Sequence, residues 1–321
     1  MKKALIFGVG GQDGSYLADI LLEKGYVVYG ATRSIATQYY ININHLQGKI
    51  IFLTADLLDE ESLLKCIKES EPDEIYNLAG QSSVHESWKS PHYNSDVNGL
   101  GVLRLISAIR TYGTPVKYFQ ASTSEMFGDT LIGSLKCDES TQHNPKSPYA
   151  VAKSYAHNMT KLYREAYGMF NCCGIFFNHE SERRGVNFIT RKITNGVAKI
   201  SLGLSDSITL GNIDIKKDWG YAPDYMEASW LMMQQETADD FIIATEQVYS
   251  MSDFLRIAFE CIGISDWEKY IKQDKKLFRP TEFVFTPPDC SKIKNELKWE
   301  PKTSLKQMIE KMVGNDIKLL K

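Results

Sequence analysis

The sequence has no run approaching the roughly 18 to 20 consecutive apolar residues of a membrane-spanning helix, so no membrane partner is expected. It has no excess of positive charge. Its 37 Lys and Arg against 40 Asp and Glu leave a formal net charge of -3, which argues against a nucleic-acid partner. There is no C-x-x-C pair and no His pattern near a cysteine, so the common zinc and dithiol arrangements are excluded and no metal is expected. Cys66, Cys137, Cys172, Cys173, Cys261 and Cys290 are expected to be free thiols in a reducing cytoplasm. Repeats, low-complexity tracts and long linkers are also missing. Met1-Lys2-Lys3 followed by apolar residues looks superficially like a signal peptide, but Gly8, Gly10, Gly11 and Asp13 break the run, which is expected to be a strand entering a glycine turn.

What is present is an ordinary globular composition, 43% hydrophobic and 24% charged over 321 residues, enough for one large domain or two. Basic residues gather locally at Arg183-Arg184, Arg191-Lys192 and Lys216-Lys217, so a small anionic ligand fits the charge pattern.

The apolar run Ala4–Val9 leads into Gly8-x-x-Gly11-Gln12-Asp13-Gly14, and an amphipathic stretch from Tyr16 to Leu22 follows. Strand, glycine turn and helix form the context in which backbone N–H groups approach a pyrophosphate at a helix N-terminus, and a dinucleotide is expected there. The next strand, Tyr26–Ala31, is followed by Arg33 with no acid beside it. An acidic residue at that place would hold a ribose 2′-hydroxyl, so Arg33 favours a 2′-phosphate and NADP over NAD. Asp56 ends a third strand, and small residues follow a fourth at Leu78-Ala79-Gly80-Gln81-Ser82. A helix is read over Val97–Tyr112 and a fifth strand over Val116–Ala121. This alternation predicts an α/β fold: a Rossmann-type doubly wound parallel sheet, with a smaller, discontinuous α+β substrate domain built from the later segments.

Ser147-Pro148-Tyr149-Ala150-Val151-Ala152-Lys153 reads as the start of a helix, and its i,i+4 spacing puts Tyr149 and Lys153 on one face. A phenol beside an ammonium is expected to ionise more easily, and so to move a proton near neutral pH. The fifth strand ends in Ser122-Thr123-Ser124-Glu125, which should reach the same crevice and add a hydroxyl and a carboxylate. After a sixth strand, Asn171–Phe177, the alternation stops at the polar run Asn178-His179-Glu180-Ser181-Glu182-Arg183-Arg184-Gly185.

Together with Gln120 to Gly128, Thr190-Arg191-Lys192-Ile193, Leu210-Gly211-Asn212, Lys217-Asp218-Trp219-Gly220 and Arg279-Pro280-Thr281-Glu282, these motifs resemble the GDP-mannose 4,6-dehydratase family of the extended short-chain dehydrogenase/reductases, over nearly the whole chain. The resemblance implies catalytic Thr123, Glu125, Tyr149 and Lys153. It implies cofactor contacts from Gly8, Gly11, Gln12, Asp13, Gly14, Arg33, Asp56, Leu57, Leu78, Ala79, Gln81, His179 and Arg184, and substrate contacts from Ser82, Asn178, Lys192, Gly211, Lys217, Arg279 and Glu282. It implies residues 1–177 plus about 213–247 for NADP, residues 178–212 plus about 248–321 for the GDP-sugar, and a homo-oligomer, dimer or tetramer.

Phe7, Ser34, Ser83, Lys217, Tyr221 and Pro223 depart from the family's usual residues, with Lys217 in place of an Arg and Ser34 in place of a second Arg. These departures leave a GDP-manno-heptose open as substrate beside GDP-mannose. A 4-dehydrogenase, reductase or epimerase would need Tyr149 and Lys153 but not Glu125, and a non-catalytic nucleotide binder would need none of the four together.

Overall fold

The computed structural model describes residues 1–34, 41–129, 136–278 and 285–321. The first half alternates β1 Lys3–Phe7, α1 Gln12–Glu23, β2 Val27–Thr32, β3 Ile51–Thr54, α2 Glu60–Ser70 and β4 Glu74–Asn77. It continues with α3 Val84–Lys89, α4 Pro91–Ser95, α5 Gly101–Tyr112, β5 Lys117–Thr123, α6 Pro148–Tyr167 and β6 Asn171–Phe176. Next come β7 Asn178–Glu180, α7 Ile189–Ser201, β8 Ile208–Leu210, β9 Lys216–Tyr221, α8 Ala222–Met233 and β10 Phe241–Ile243. The last elements are β11 Val248–Ser250, α9 Met251–Glu260, β12 Ile271–Gln273, α10 Ser291–Leu297 and α11 Leu305–Leu320.

Among the described residues β10-β6-β5-β4-β1-β2-β3 form one seven-stranded sheet, every neighbouring pair parallel. This is the expected doubly wound order, and it directs the carboxyl ends of β1, β4 and β5 to one edge, where ligands bind in such sheets. Apolar side chains cover both faces. One layer contains Ile6, Leu17, Phe119, Ile175 and Met232; the other contains Leu5, Leu63, Ile75, Leu105 and Tyr118. All six β6 residues are buried, and Cys172 and Cys173 are packed strand residues, not a redox pair.

A third apolar cluster joins Ile193, Leu210, Trp219, Phe254, Phe259 and Met308. Beside it β11-β9-β7 make a small sheet and β12-β8 a two-stranded one. Here the sequence reading missed β7, β9 and β11, which are short and polar and show no clear alternation. It also ran a single helix over Val97–Tyr112. The structure instead has a π-turn at Asp96–Leu100 before α5. The extra residue lets Asn98 accept from Gln81 N at 3.0 Å and donate to Gln81 O at 2.8 Å, clamping the loop after β4.

The basic pairs prove largely structural. Arg183 reaches Asp19 at 2.8 Å and covers the Tyr16 ring, while Arg191 pairs with fully buried Asp316, which also accepts from Thr194 Oγ1 at 2.7 Å. Breaking a buried pair leaves the surviving charge uncompensated. Arg191→Leu is therefore expected to cost about 3–5 kcal/mol of stability in urea unfolding, with Lys311→Leu on the same C-terminal helix near neutral; equal small effects would contradict the assignment.

Candidate active site

β5, the turn after it and α6 carry the four side chains expected to be catalytic. Thr123 is the last residue of β5, and its Oγ1 accepts from Glu125 N at 3.3 Å, turning the chain so that Glu125 follows directly. Ser147 caps α6 by accepting from Ala150 N at 3.1 Å, and Pro148 opens the first turn. The helix thereby buries Tyr149 and Lys153 against β5, with the Thr123 hydroxyl close enough to influence the Tyr149 phenol.

Burial dominates the electrostatics, and it overturns one expectation. The Tyr149 phenol is pushed up to about 12, by burial first and by the Glu125 charge as well, with the Thr123 hydrogen bond opposing. Burial likewise lowers Lys153 to about 8. Lys153 does not make the phenol acidic here: its Nζ donates to the Ala121 carbonyl at 2.5 Å. That carbonyl also accepts from Gln120 Nε2 at 2.8 Å, and Gln120 Oε1 accepts from Asn77 Nδ2 at 2.9 Å and Tyr118 OH at 2.6 Å. Sequence reasoning gave Gln120 no role. Its signal was a polar residue inside a strand otherwise fit for the core, next to another on β4.

The glycine turn fits a dinucleotide pyrophosphate. Gly8 has φ +83°, and a Cβ there would lie 2.7 Å from Ala79 N; one on Gly14 would lie 2.3 Å from Gly8 O. The turn therefore lies against the start of the loop after β4 and under the N-terminus of α1, at Gly11, where free backbone N–H groups collect. Leu78 N donates to Phe7 O at 3.0 Å and Ala79 N to Asn77 Oδ1 at 3.3 Å, while Asp56 turns its own loop by accepting from Leu58 N at 3.0 Å. The Leu57 carbonyl accepts from Arg104. Past β2, exposed Arg33 donates to Tyr93 OH at 2.5 Å.

The side chains of Gln12, Asp13 and His179 are joined to one another, tying the glycine turn to β7. Gln12 donates to His179 O at 3.2 Å and accepts from Ser181 Oγ at 2.8 Å. Asp13 Oδ2 lies 3.0 Å from His179 Nε2, and His179 Nδ1 donates to Phe177 O at 2.8 Å, so both ring nitrogens donate and the ring is an imidazolium, stacked on Tyr225 at 4.8 Å. Burial opposes both charges, but the pairing prevails: Asp13 falls to about 2 and His179 rises. Arg184 pairs with Glu180 at 3.2 Å and lies over the Phe188 ring.

The other expected substrate residues are more dispersed. Asn178 lies on β7 opposite Trp219, Lys192 is half-buried on α7, and Ser82 is exposed. A Cβ at Gly211 would meet Leu277 O at 2.9 Å. Lys217, from β9, reaches Glu125 Oε1 at 3.3 Å. Arg279 and Glu282 lie outside the described residues.

Residues 5–312 match the family model described as GDP-mannose 4,6 dehydratase. The chain is 44% identical to GDP-mannose 4,6 dehydratase 1 of Arabidopsis thaliana, covering 100% of this chain and 91% of that one. It is 43% identical to the human GDP-mannose 4,6 dehydratase (99% and 92%) and 42% identical to that of Yersinia enterocolitica (100% and 95%). In fold it is similar to UDP-glucose 4-epimerase of Thermotoga maritima, with TM-score 0.87 and 23% identity over 99% of this chain and 100% of that one. It is also similar to dTDP-glucose 4,6-dehydratase of Bacillus anthracis in complex with NAD, with TM-score 0.85 and 20% identity over 99% and 97%.

The Asp13–His179 pair has a pH signature with two edges. Asp13 is lowered from 3.8, so its stabilisation is present above that value and is lost as pH falls toward 2. His179 is raised from 6.5, so its share is present below 6.5 and lost as pH rises through the higher folded value. NMR titration should find the His179 midpoint above 6.5 in the native chain and lower in Asp13→Asn, where burial and the Arg184 charge are opposed only by the hydrogen bond to the Phe177 carbonyl. An unmoved midpoint would show that the pair is not what charges the ring.

Proposed function

The chain belongs to the GDP-mannose 4,6-dehydratase family, and from that membership and the acid/base set we propose that it converts GDP-mannose to the GDP-4-keto-6-deoxy sugar with loss of one water. The observation that carries this is Glu125, a second acid/base anchored on Thr123 with its charge felt at Tyr149. A single phenol suffices to oxidise or reduce an alcohol, whereas elimination needs another group to take a proton from carbon. Tyr149 takes the C4 hydroxyl proton while Thr123 holds O4. The resulting C4 ketone acidifies C5–H; Glu125 removes that proton and delivers it to the departing C6 hydroxyl, leaving a C5–C6 double bond and water. Glu125, having passed its proton to the leaving hydroxyl, takes another from solvent and delivers it to C5, and the O4 proton held by Tyr149 returns to solvent, so the protons balance. A pyridine nucleotide held by the glycine turn, Tyr149 and Lys153 would supply the hydride acceptor for C4 and the donor for C6, so the reaction would carry no net redox change.

NADP is the proposed cofactor in preference to NAD. Arg33, oriented by Tyr93 at the end of β2, supports a 2′-phosphate contact. Tyr149, Lys153, the glycine turn and the loops of Asp56, Leu57, Leu78, Ala79 and Gln81 would hold it, and Arg184 and His179 close the side toward β7. The third apolar cluster supports a separate GDP-sugar unit drawn from the later segments. Exposed Val151, Tyr155 and Leu162 on α6, with Leu100 nearby in sequence to its packing partners, support a homo-oligomer. The six free cysteines support a cytoplasmic location.

Mass spectrometry of incubations with GDP-mannose, and separately with a GDP-manno-heptose, is expected to show loss of one water from GDP-mannose. Lasting net cofactor reduction with no water lost from either sugar would replace this reading with a 4-dehydrogenase. Glu125→Gln should still reduce bound cofactor yet stall before water loss, and Tyr149→Phe should fail at the first step by about 10²–10⁴-fold. Arg33→Ala should lower affinity for NADP by about 10- to 100-fold while leaving NAD affinity nearly unchanged, as measured by calorimetry. Equal losses for both cofactors would remove Arg33 from the 2′-phosphate.

A further inference from the structure

A pair of histidines lies beneath the site and takes no part in the steps above. Tyr149, Lys153 and His157 follow one another at i, i+4 and i+8 on α6, and all three are buried. Lys153 holds the Ala121 carbonyl, and one turn later His157 Nδ1 lies 3.1 Å from Oγ of buried Ser122. Successive turns of the helix therefore grip successive residues of β5, and Thr123 is the next residue along. One grip leaves the strand free to pivot about it. A second removes that freedom.

His157 is placed to accept from Ser122. Its Nε2 lies 4.0 Å from Asp240 Oδ2, so the ring proton belongs on that nitrogen and Nδ1 is left with its lone pair toward the Ser122 hydroxyl. Asp240 does not charge the ring, because its carboxylate already accepts two bonds from Arg164, at 2.9 and 2.8 Å, and one from Cys173 N at 3.0 Å. On the other side the half-buried His143 ring meets His157 edge to face, with centres 5.1 Å apart, and its Nδ1 lies 2.8 Å from Oγ of Ser154, the residue after Lys153. Besides each other, the rings face the Asp240 carboxylate, the Arg164 and Lys161 charges of α6 and the Cys173 thiol of β6, whose Sγ lies 4.0 Å from the His157 carbonyl. Burial lowers both rings, His157 to about 4 against the pull of Asp240, so the pair works in its neutral form.

We propose, resting on the reading of Thr123 and Tyr149 as groups of the first step, that His157 is a positioning residue: by accepting from Ser122 it fixes the end of β5 so that the Thr123 hydroxyl meets the substrate O4 beside Tyr149, with His143 holding the ring from the loop side. His157 passes no proton in the cycle. Protonating it would make both ring nitrogens donors and break the Ser122 bond. The stabilisation is therefore complete above 6.5 and is lost as pH falls toward 4.

Native holoenzyme is compared with Ser122→Ala, His157→Phe, His157→Asn and the double variant Ser122→Ala/His157→Phe, reading single-turnover cofactor reduction with GDP-mannose, KM and urea stability. His157→Phe keeps a ring without an acceptor and is expected to slow cofactor reduction about tenfold, with KM changed by less than about threefold. His157→Asn, whose amide oxygen can replace Nδ1, should recover the rate to within about threefold of native. Adding Ser122→Ala to His157→Phe should slow the step no further, because both remove one bond. The native rate should fall as pH approaches 4, and less steeply in His157→Asn. NMR titration should place the native His157 midpoint well below 6.5 and find it raised in Ser122→Ala. Lower urea stability with unchanged cofactor reduction in His157→Phe would make His157 a packing residue only and overturn the proposal. Additive losses in the double variant, or an unmoved His157 midpoint, would overturn it too. If His157→Phe fails to fold, cofactor reduction in Ser122→Ala decides by the same criterion. Failure of the native holoenzyme to reduce its cofactor with GDP-mannose refutes the first-step reading instead, and the NMR titration, which needs no substrate, still tests the Ser122 bond.

Discussion

The hydrogen bond from Lys153 to the Ala121 carbonyl is the contact on which the site depends. An ammonium buried between a helix and a strand needs a strong acceptor, because its desolvation is otherwise uncompensated. The backbone carbonyl supplies one without adding a second charge. It fixes α6 against β5 at one register, and that register sets Tyr149 beside Thr123 and follows it with Glu125. The ladder of Asn77, Tyr118 and Gln120 behind the strand continues the same logic. Gln120 donates to the same Ala121 carbonyl, so turning the acceptor away from Lys153 would also cost that hydrogen bond.

Charge then links this centre to the rest of the molecule by two routes. Asp13 and His179 hold the glycine turn to β7, and Glu125 and Lys217 hold the end of β5 to β9. β7 and β9 pair in parallel in the same small sheet, so both routes converge on one element. Movement of that sheet would change the cofactor cradle and the base together. The aromatic stack of His179 on Tyr225, which sits on α8 under the main sheet, anchors the shared element to the Rossmann core.

Much of this was legible in the chain. The parallel sheet was, because short apolar runs, as expected of strands buried on both faces, alternate with amphipathic helices. Tyr149, Lys153, Thr123 and Glu125 were also legible, since each sits at the end of a strand or the start of a helix whose boundary a Ser-Pro cap or a hydroxyl-rich turn marks. The small sheet was not. Asn178-His179-Glu180 and Lys216-Lys217-Asp218 show charge and no alternation, and become strands only because tertiary partners supply the ladder. The π-turn was invisible for a related reason: the weak helix formers of Asp96–Leu100 point only to a poor helix start, and the demand that sets the register comes from the Gln81 backbone, 17 residues earlier. Direction of charge was the other blind spot. Spacing put an ammonium near a phenol but could not say that the ammonium would be committed to a carbonyl, nor that burial would outweigh its field.

That last point bears on how one site runs two proton transfers. Burial drives Tyr149 up and Lys153 down, so the phenol keeps its proton until a further positive charge comes near it. Glu125 lies close enough to strengthen that hold, because two neighbouring acids resist ionising together. Lys217, 3.3 Å from Glu125 Oε1, places a cation beside the carboxylate. An oxidised pyridine nucleotide held at the glycine turn would add such a charge to the site, and its arrival would set when the phenol can lose its proton.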